Sequence, residues 1–285
     1  MIVKNLSRLV SLIVLIILIT NTAWANLMIT PQRVVFEEKQ RSASVNLINT
    51  TTQTNTYRLH WVQKRQREKG GYQDLPQNSN EVPNASSMLR FSPRQITLAP
   101  GEKQTVRISL RRKKGLETGE HRSYLLFQAL PNETPASASE KGPKVKINLL
   151  LGFAIPVIVR EGKINASATI SGVVLTKTMD KNKYVYGAQV NLKRSGPHTA
   201  IGSIKILWKK TKFEEYKQIG LLNNVSLYPE APLVQNFVGL PDFKVSSGYM
   251  KITYEGQKEF EGKVFDTSET KVTQEDFKLV HRDDI

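Results

Sequence analysis

The sequence contains no cysteine among its 285 residues. This absence excludes a disulfide framework, thiolate metal sites, a cysteine nucleophile and a lipid-modified N-terminal cysteine. Histidine is also scarce, and the four histidines do not fall at the spacings of common metal sites; they are His60, His121, His198 and His281. We therefore expect neither a metal site nor another cofactor.

The motifs of common catalytic sites are missing as well. The sequence has no glycine-rich phosphate loop and no G-x-S-x-G nucleophile elbow. Its aspartates and glutamates lie mostly in predicted loops and near the C terminus, so no pair is indicated as acid and base. We therefore do not expect an enzyme.

Acidic residues are too few to balance the basic ones, because 25 Asp and Glu face 41 Lys and Arg, for a formal net charge of +16. A basic surplus favours acidic partners such as nucleic acid, anionic membranes or carboxylates of other proteins. The basic residues form only modest runs, at 64–69, 111–114 and 209–212. Each run is more typical of a solvated edge or loop than of a binding stripe.

Only one apolar run is long, and it covers residues 9–19. Lys4 and Arg8 precede it, and Ala23-Trp24-Ala25 fits a small-x-small cleavage site, so residues 1–25 are predicted to be a cleaved signal peptide. A membrane span needs about 20 apolar residues, and no later stretch reaches that length. We therefore expect an exported protein without stable membrane insertion, and export argues against a nucleic-acid partner.

The rest of the chain alternates short apolar strands with turn signals. Seven predicted strands over residues 26–159 are typical of an immunoglobulin-like sandwich. Residues 64–83 are expected to form a loop with a weak hairpin. A second run of strands predicts a C-terminal β-sandwich domain over 160–258, beginning with a linker, and the polar residues 259–285 predict a weakly ordered tail. The predicted fold class is all-β, with two immunoglobulin-like β-sandwich domains.

The most unusual stretch covers residues 144–157. Every odd position from 145 to 157 is apolar, which places seven side chains on one face of a strand. Strands usually run about 5–6 residues, so this one has more apolar length than a small domain readily buries. An ordinary core strand that happens to be long would show the same pattern.

Two arginines lie beside or within apolar strands. Arg33 precedes Val34-Val35-Phe36, and Arg122 begins a strand that ends near residue 130. Both side chains could simply face water. Alternatively, two guanidinium groups between the domains would form a cleft for a carboxylate, because arginine presents a bidentate fork that matches this anion.

Six short motifs occur in one order along the first predicted domain; they are Gln32-Arg-Val-Val-Phe-Glu37, Arg41-Ser-Ala-Ser-Val45, Phe91-Ser-Pro93, Leu98-Ala-Pro-Gly101, His121-Arg-Ser-Tyr-Leu-Leu-Phe127 and Ile155-Pro-Val-Ile-Val-Arg160. Together they resemble the periplasmic pilus-assembly chaperones of the chaperone–usher pathway, and most of all the archaic subclass. The similarity continues at Val225-Ser-Leu-Tyr-Pro-Glu230 and Gly248-Tyr-Met-Lys-Ile-Thr-Tyr254. It covers about residues 28–256.

The resemblance implies a boomerang of two immunoglobulin-like domains that acts in the periplasm. Such a chaperone binds, folds and stabilises a pilus or fimbrial subunit that lacks its final strand, lends it a strand (donor-strand complementation), and delivers it to an outer-membrane usher. The implied donor residues are Val145, Ile147, Leu149 and Leu151. We expect Phe153, Ile155 and Val157 to remain in the chaperone's own core, and self-association through the exposed strand is a further expectation.

In the better-known subclass, an arginine of the first strand and a lysine of the last strand hold the C-terminal carboxylate of the subunit. Arg33 matches the first position, but no basic residue stands near residues 151–152 to match the second. We expect Arg122 to replace it.

Two other classes of protein are compatible with an exported β-rich chain. One is a secreted or surface adhesive β-sandwich that binds proteins or glycans, which would lie outside the cell and have no periplasmic client. The other is a periplasmic hydrolase or carbohydrate-binding enzyme on a β scaffold, which turnover in a substrate screen would reveal.

Overall fold

The structure, a computed structural model, describes residues 27–131, 151–180, 183–241, 243–244 and 246–280. Strands dominate these ranges, and within them no helix is long and apolar enough to cross a membrane. The predicted signal peptide and three of the predicted donor residues, Val145, Ile147 and Leu149, lie outside the described residues.

The first domain consists of two sheets packed on one core. One sheet has the order β1-β3-β8-β6, with β1 (Leu27–Thr30), β3 (Ser42–Asn49), β6 (Leu89–Ser92) and β8 (Lys103–Leu110). The other has the order β2-β10-β9-β4-β5, with β7 paired to β4, and its strands are β2 (Val34–Phe36), β4 (Asn55–Gln66), β5 (Tyr72–Leu75), β7 (Gln95–Leu98), β9 (Gly119–Ala129) and β10 (Gly152–Glu161). Alternation along β8 buries Val106, Ile108 and Leu110 and exposes the residues between them, as one-sided burial of a strand requires.

The second domain is also built from two sheets around a separate core. The order β15-β12-β11-β18 joins β11 (Ser167–Asp180), β12 (Lys183–Ser195), β15 (Leu233–Leu240) and β18 (Lys278–Leu279). The order β14-β13-β16-β17 joins β13 (Ala200–Lys209), β14 (Lys217–Leu227), β16 (Gly248–Gly256) and β17 (Val264–Val272). The all-β fold with two β-sandwich domains is confirmed, whereas the boomerang angle between them stays a prediction.

The predicted boundary between the domains is too early. Strand β10 continues to Glu161, and Arg160, predicted to open the linker, is buried in the strand. The described backbone reaches the first strand of the second domain, β11, only at Ser167.

The predicted polar tail is wrong for the part of it that the structure describes. Strand β17 pairs antiparallel with β16 along its whole length, and Phe260, Val272 and Phe277 are buried in the core of the second domain. The sequence conceals this strand because most of its side chains are polar and at least partly exposed on the outer edge of a sheet. Its few anchoring apolar residues stand near or beyond the ends of the strand rather than in alternation.

The predicted loop at 64–83 contains a well-formed hairpin that joins the two domains. Strands β4 and β5 pair from Gln63 with Leu75 to Gln66 with Tyr72. The Gln66 side chain donates to the Ser226 carbonyl at 2.7 Å and accepts from the Tyr228 amide at 3.0 Å. The hairpin therefore holds the second domain by hydrogen bonds from the Gln66 side chain to its backbone, which the sequence pattern does not reveal.

We expect Phe277→Ala to reduce the free energy of unfolding by about 3–5 kcal/mol, because it removes a buried aromatic side chain from a packed core. Leu279→Ala is the matched control, since Leu279 is 60% exposed and lies two residues further along. Urea unfolding measures both variants. Equal and small effects would show that residues after Gly256 do not belong to the core.

Candidate functional site

Strand β10 has one edge that is only partly covered. Its inner edge pairs antiparallel with β9 from Gly152 to Glu161. Its outer edge pairs with the short parallel strand β2 only at Val157–Val159. Among the described residues, no strand covers positions 152–156 on that outer edge. An uncovered sheet edge is a template for the addition of another strand.

The side chains of β10 alternate as the sequence predicts. Ile155 and Val157 are buried in the core of the first domain, and Phe153 packs against the same core while partly exposed. This confirms the expected core side of the strand. Leu151, the one predicted donor residue that the structure describes, immediately precedes β10 and is 41% exposed.

Arg33 lies where the uncovered part of the β10 edge ends. It directly precedes β2, which takes over that edge from Val157 onward. Its guanidinium forms a fork with Glu259 of the second domain, with Nη1–Oε2 and Nη2–Oε1 distances of 3.2 and 3.1 Å. Arg33 also lines a cleft of about 620 Å³, together with Pro156 and Tyr228.

A second cation, Lys258, lines the same cleft. Among the described residues it has no ion-pair partner, in contrast to Arg33. Its φ angle is 59°, and Asn224, on the same cleft, has φ 58°; these are the two non-glycine residues with positive φ in the described part of the chain. Left-handed backbone at ordinary residues costs free energy and often marks functional sites, and here both examples face one cleft.

A buried ion cluster joins the two domains beside this cleft. Arg160 is 1% exposed, and its guanidinium donates to Glu120 at 2.9 and 3.0 Å and to Glu259 at 2.6 Å. Glu120 also accepts from the Thr199 hydroxyl of the second domain. Glu259 is thus shared by Arg33 and Arg160, so the position of each guanidinium depends on the other.

The electrostatics of Glu259 follow from this sharing. Burial alone would raise the pKa of its carboxyl group, but hydrogen bonds and charges from Arg33 and Arg160 outweigh burial. They lower the pKa of Glu259 from 4.5 to about 2. The carboxylate therefore stays ionised well into the acidic range.

Arg122 also lies between the domains. It is 2% exposed, pairs with Glu230 of the second domain, and lies over the Tyr228 ring at 3.6 Å from the centroid. The nearby carboxylate and rings raise the pKa of Arg122 despite its burial, which acts in the opposite direction. The structure therefore gives Arg122 an internal carboxylate partner, so an external carboxylate would have to displace Glu230.

Both predicted anchor arginines lie at the domain interface, where they belong to two separate ion pairs, and their role as carboxylate anchors stays a prediction. Their partners, Glu230 and Glu259, are missed in the sequence, as is Lys258. Glu230 does lie in a motif that carries the resemblance. Glu259 and Lys258 lie at or beside the boundary of the predicted tail, where no pattern singles them out.

The comparisons with known proteins agree with this architecture. Residues 26–164 match the family model of the pili and flagellar-assembly chaperone, PapD N-terminal domain. The first domain belongs to this family of pilus-assembly chaperones. The family is a class of chaperones rather than of enzymes. No curated protein sequence matches the chain.

Several solved structures match the chain at low identity and with TM-scores below 0.5. The class 5 fimbriae chaperone CfaA is 14% identical, with a TM-score of 0.44 over 86% of this chain and 98% of that one. The Pseudomonas aeruginosa CupB2 chaperone is 11% identical, with a TM-score of 0.43 over 86% and 99% of the two chains. A pre-assembly complex of CsuC with the tip subunit CsuE, from archaic Csu pili of Acinetobacter baumannii, matches at 17% identity and a TM-score of 0.37, over 74% of this chain and 90% of that one.

We expect Glu259→Gln to reduce the stability of the protein at pH 7 and to have progressively less effect in acid. The pKa of Glu259 is lower in the folded state than its usual 4.5. Its stabilisation is therefore fully present above about pH 4.5 and is lost as the pH falls toward 2. Urea unfolding of both proteins between pH 7 and pH 3 measures the difference.

The matched control is Glu261→Gln, because Glu261 is exposed and lies two residues away. This variant should follow the wild type at every pH. A stability difference between wild type and Glu259→Gln that does not narrow in acid would contradict the ion-pair explanation.

Proposed function

We propose that this chaperone acts by donor-strand complementation, and that the open edge of β10 ending at Arg33 is the feature that carries this function. The client is a pilus or fimbrial subunit that lacks its final strand, and it exposes an apolar groove with unpaired edge amides. The chaperone supplies a strand along residues 145–156, which pairs with the client through ladder hydrogen bonds and fills the groove with alternate side chains.

The position of Arg33 gives the client strand a direction. Strand β2 runs parallel to β10 and occupies its outer edge from Val157 onward. A client strand on the remaining edge lies in line with β2 and stops where β2 begins. If the client carboxylate is held at Arg33, the client strand must run parallel to β10, because only then does its C terminus reach Pro156.

The anchor for the client carboxylate is best supplied by Arg33 together with Lys258. Glu259 already neutralises part of the Arg33 charge. Lys258 lines the same cleft and has no ion-pair partner among the described residues. Arg122 has a structural role in this proposal: it holds Tyr228, which also lines the cleft. Removal of Arg122 would leave Glu230 unpaired and buried, at a cost of about 3–5 kcal/mol.

The donor side chains are Val145, Ile147, Leu149 and Leu151. Burial of one such aliphatic side chain contributes about 1.5–3 kcal/mol. Three or four of them would hold a subunit firmly, in addition to the backbone hydrogen bonds of an added strand.

The same proposal includes the cellular setting. The chaperone acts in the periplasm after removal of residues 1–25, transfers its clients to an outer-membrane usher and catalyses no reaction. The resemblance of its motifs to the archaic subclass supports membership of that subclass. Without a client, the open β10 edge would allow two chaperones to associate.

We expect Ile147→Asp with Leu149→Asp to abolish client binding, because carboxylates cannot enter an apolar groove without a large desolvation cost. Tagged wild type should retain a pilus subunit encoded in its own host, identified by mass spectrometry, when it is purified from the periplasm. The matched control is Lys146→Asp with Asn148→Asp, which adds two carboxylates at the alternate positions of the same stretch.

The control variant should keep the client, and circular dichroism should show that both variants are folded. Retention of the same subunit by the Ile147/Leu149 variant would exclude this stretch as the donor strand. An adhesive β-sandwich would then become the better explanation.

We expect Arg33→Ala to weaken client binding about ten- to a hundredfold, because charge-assisted hydrogen bonds contribute roughly 1.5–3 kcal/mol. Arg58→Ala is the control, since Arg58 is an exposed residue of β4. Competition between tagged and untagged chaperones for one purified subunit measures the ratio. Equal binding by Arg33→Ala and wild type would place the carboxylate anchor elsewhere.

A further inference from the structure

The hairpin between β13 and β14 projects from the second domain, far from the cleft. Strand β13 begins at Ala200, next to the interface residue Thr199, and runs ten residues to Lys209. At about 3.3 Å per residue, its far end lies roughly 30 Å from the domain interface. A ligand at this hairpin would therefore not compete with a client in the cleft.

This hairpin and the strands beside it carry a basic surface, which we call the lysine tip. Six lysines define it: Lys209, Lys210, Lys212, Lys217, Lys251 and Lys271. Pairing across the sheet places Lys209, Tyr249 and Lys271 side by side on three neighbouring strands. Three glutamates stand among these six lysines, Glu214, Glu215 and Glu269, and the exposed Glu214 carboxylate accepts from the Lys210 amide and the Thr211 hydroxyl of its own turn.

Two tyrosine rings form a platform under these lysines. The Lys209 ammonium lies 4.3 Å from the centroid of Tyr216, and the Lys251 ammonium lies 5.8 Å from it. The Lys212 ammonium lies 6.0 Å from the centroid of Tyr249. Cation–π contacts of this kind restrain a lysine side chain without neutralising it, so the positive charge of the tip remains available to a ligand.

Phe213 occupies the end of the hairpin and is 100% exposed. A basic surface with an exposed phenylalanine at its apex has both features of a peripheral membrane contact. The lysines attract anionic headgroups, and the aromatic ring enters the boundary between headgroups and acyl chains. An acidic protein partner would explain the lysines. It would not explain why the exposed residue at the apex is a phenylalanine rather than a polar residue, unless the partner also had a pocket for the ring.

We propose that the lysine tip binds the surface of an anionic phospholipid bilayer, with Phe213 inserted at the level of the headgroups. The association is peripheral and reversible, because a few lysines and one aromatic ring are far weaker than a membrane-spanning segment. It would keep the chaperone near a membrane while the cleft and the β10 edge remain free.

The test is co-sedimentation of the purified protein with vesicles of phosphatidylcholine alone or with one quarter phosphatidylglycerol. The wild type should bind only the anionic vesicles, and added salt should release it, because headgroup attraction is screened. Lys210→Gln with Lys212→Gln should weaken binding at least tenfold, since each lysine near an anionic surface contributes about fivefold. Phe213→Ser should also weaken it, and Phe213→Trp should show blue-shifted emission with anionic vesicles.

The control is Lys113→Gln with Lys114→Gln, an exposed pair in the first domain that lowers the net charge by the same amount. This control should bind like the wild type. Equal losses of vesicle binding in the two double variants would mean that only the net charge matters, and this result would overturn the proposal. No binding to anionic vesicles, or binding that does not depend on Phe213, would overturn it as well, and the lysine tip would then fit an acidic protein partner better.

Discussion

The relation between the two domains depends on the buried guanidinium of Arg160. It lies near the end of β10, where the chain leaves the first domain, and it pairs with Glu37 and Glu120 of its own domain and with Glu259 of the other. A buried arginine that loses a carboxylate partner costs several kcal/mol, so the second domain cannot move far from this position without a large penalty. Arg33 shares Glu259, and the geometry of the candidate anchor therefore follows from the same contact.

Much of the fold could be predicted from the sequence, because alternating apolar residues report which face of a strand is buried. The odd positions of β10 are a clear case, since Ile155 and Val157 fill the core as their spacing predicts. Strand β17 could not be found in this way. Its side chains are polar on an exposed edge, and it owes its place to backbone pairing with β16, which leaves no periodic trace in the sequence.

The candidate site was predictable in its arginines but not in their partners. An arginine beside an apolar strand is visible in a sequence because it interrupts the pattern, as Arg33 and Arg122 do. The glutamate that neutralises it is visible only after folding, because Glu230 and Glu259 lie more than 100 residues away. The two arginines themselves suggested a basic cleft for a carboxylate, and the resemblance to one family identified that carboxylate as the C terminus of a subunit. In the structure the two arginines belong to separate ion pairs, and Lys258, which the sequence did not indicate, lines the cleft beside Arg33.

Under the proposed function, the junction of β2 and β10 has a consequence for the ends of client chains. Because β2 fills the β10 edge from Val157 onward, a strand laid along the remaining edge has a fixed stopping point. A subunit lengthened by one residue at its C terminus would have to slip by one position, and such a slip turns every side chain to the opposite face of the sheet. The fixed end of the free edge would then determine which C termini fit. A subunit extended by a tag or by read-through would be rejected at the first step of assembly, before any pilus is built.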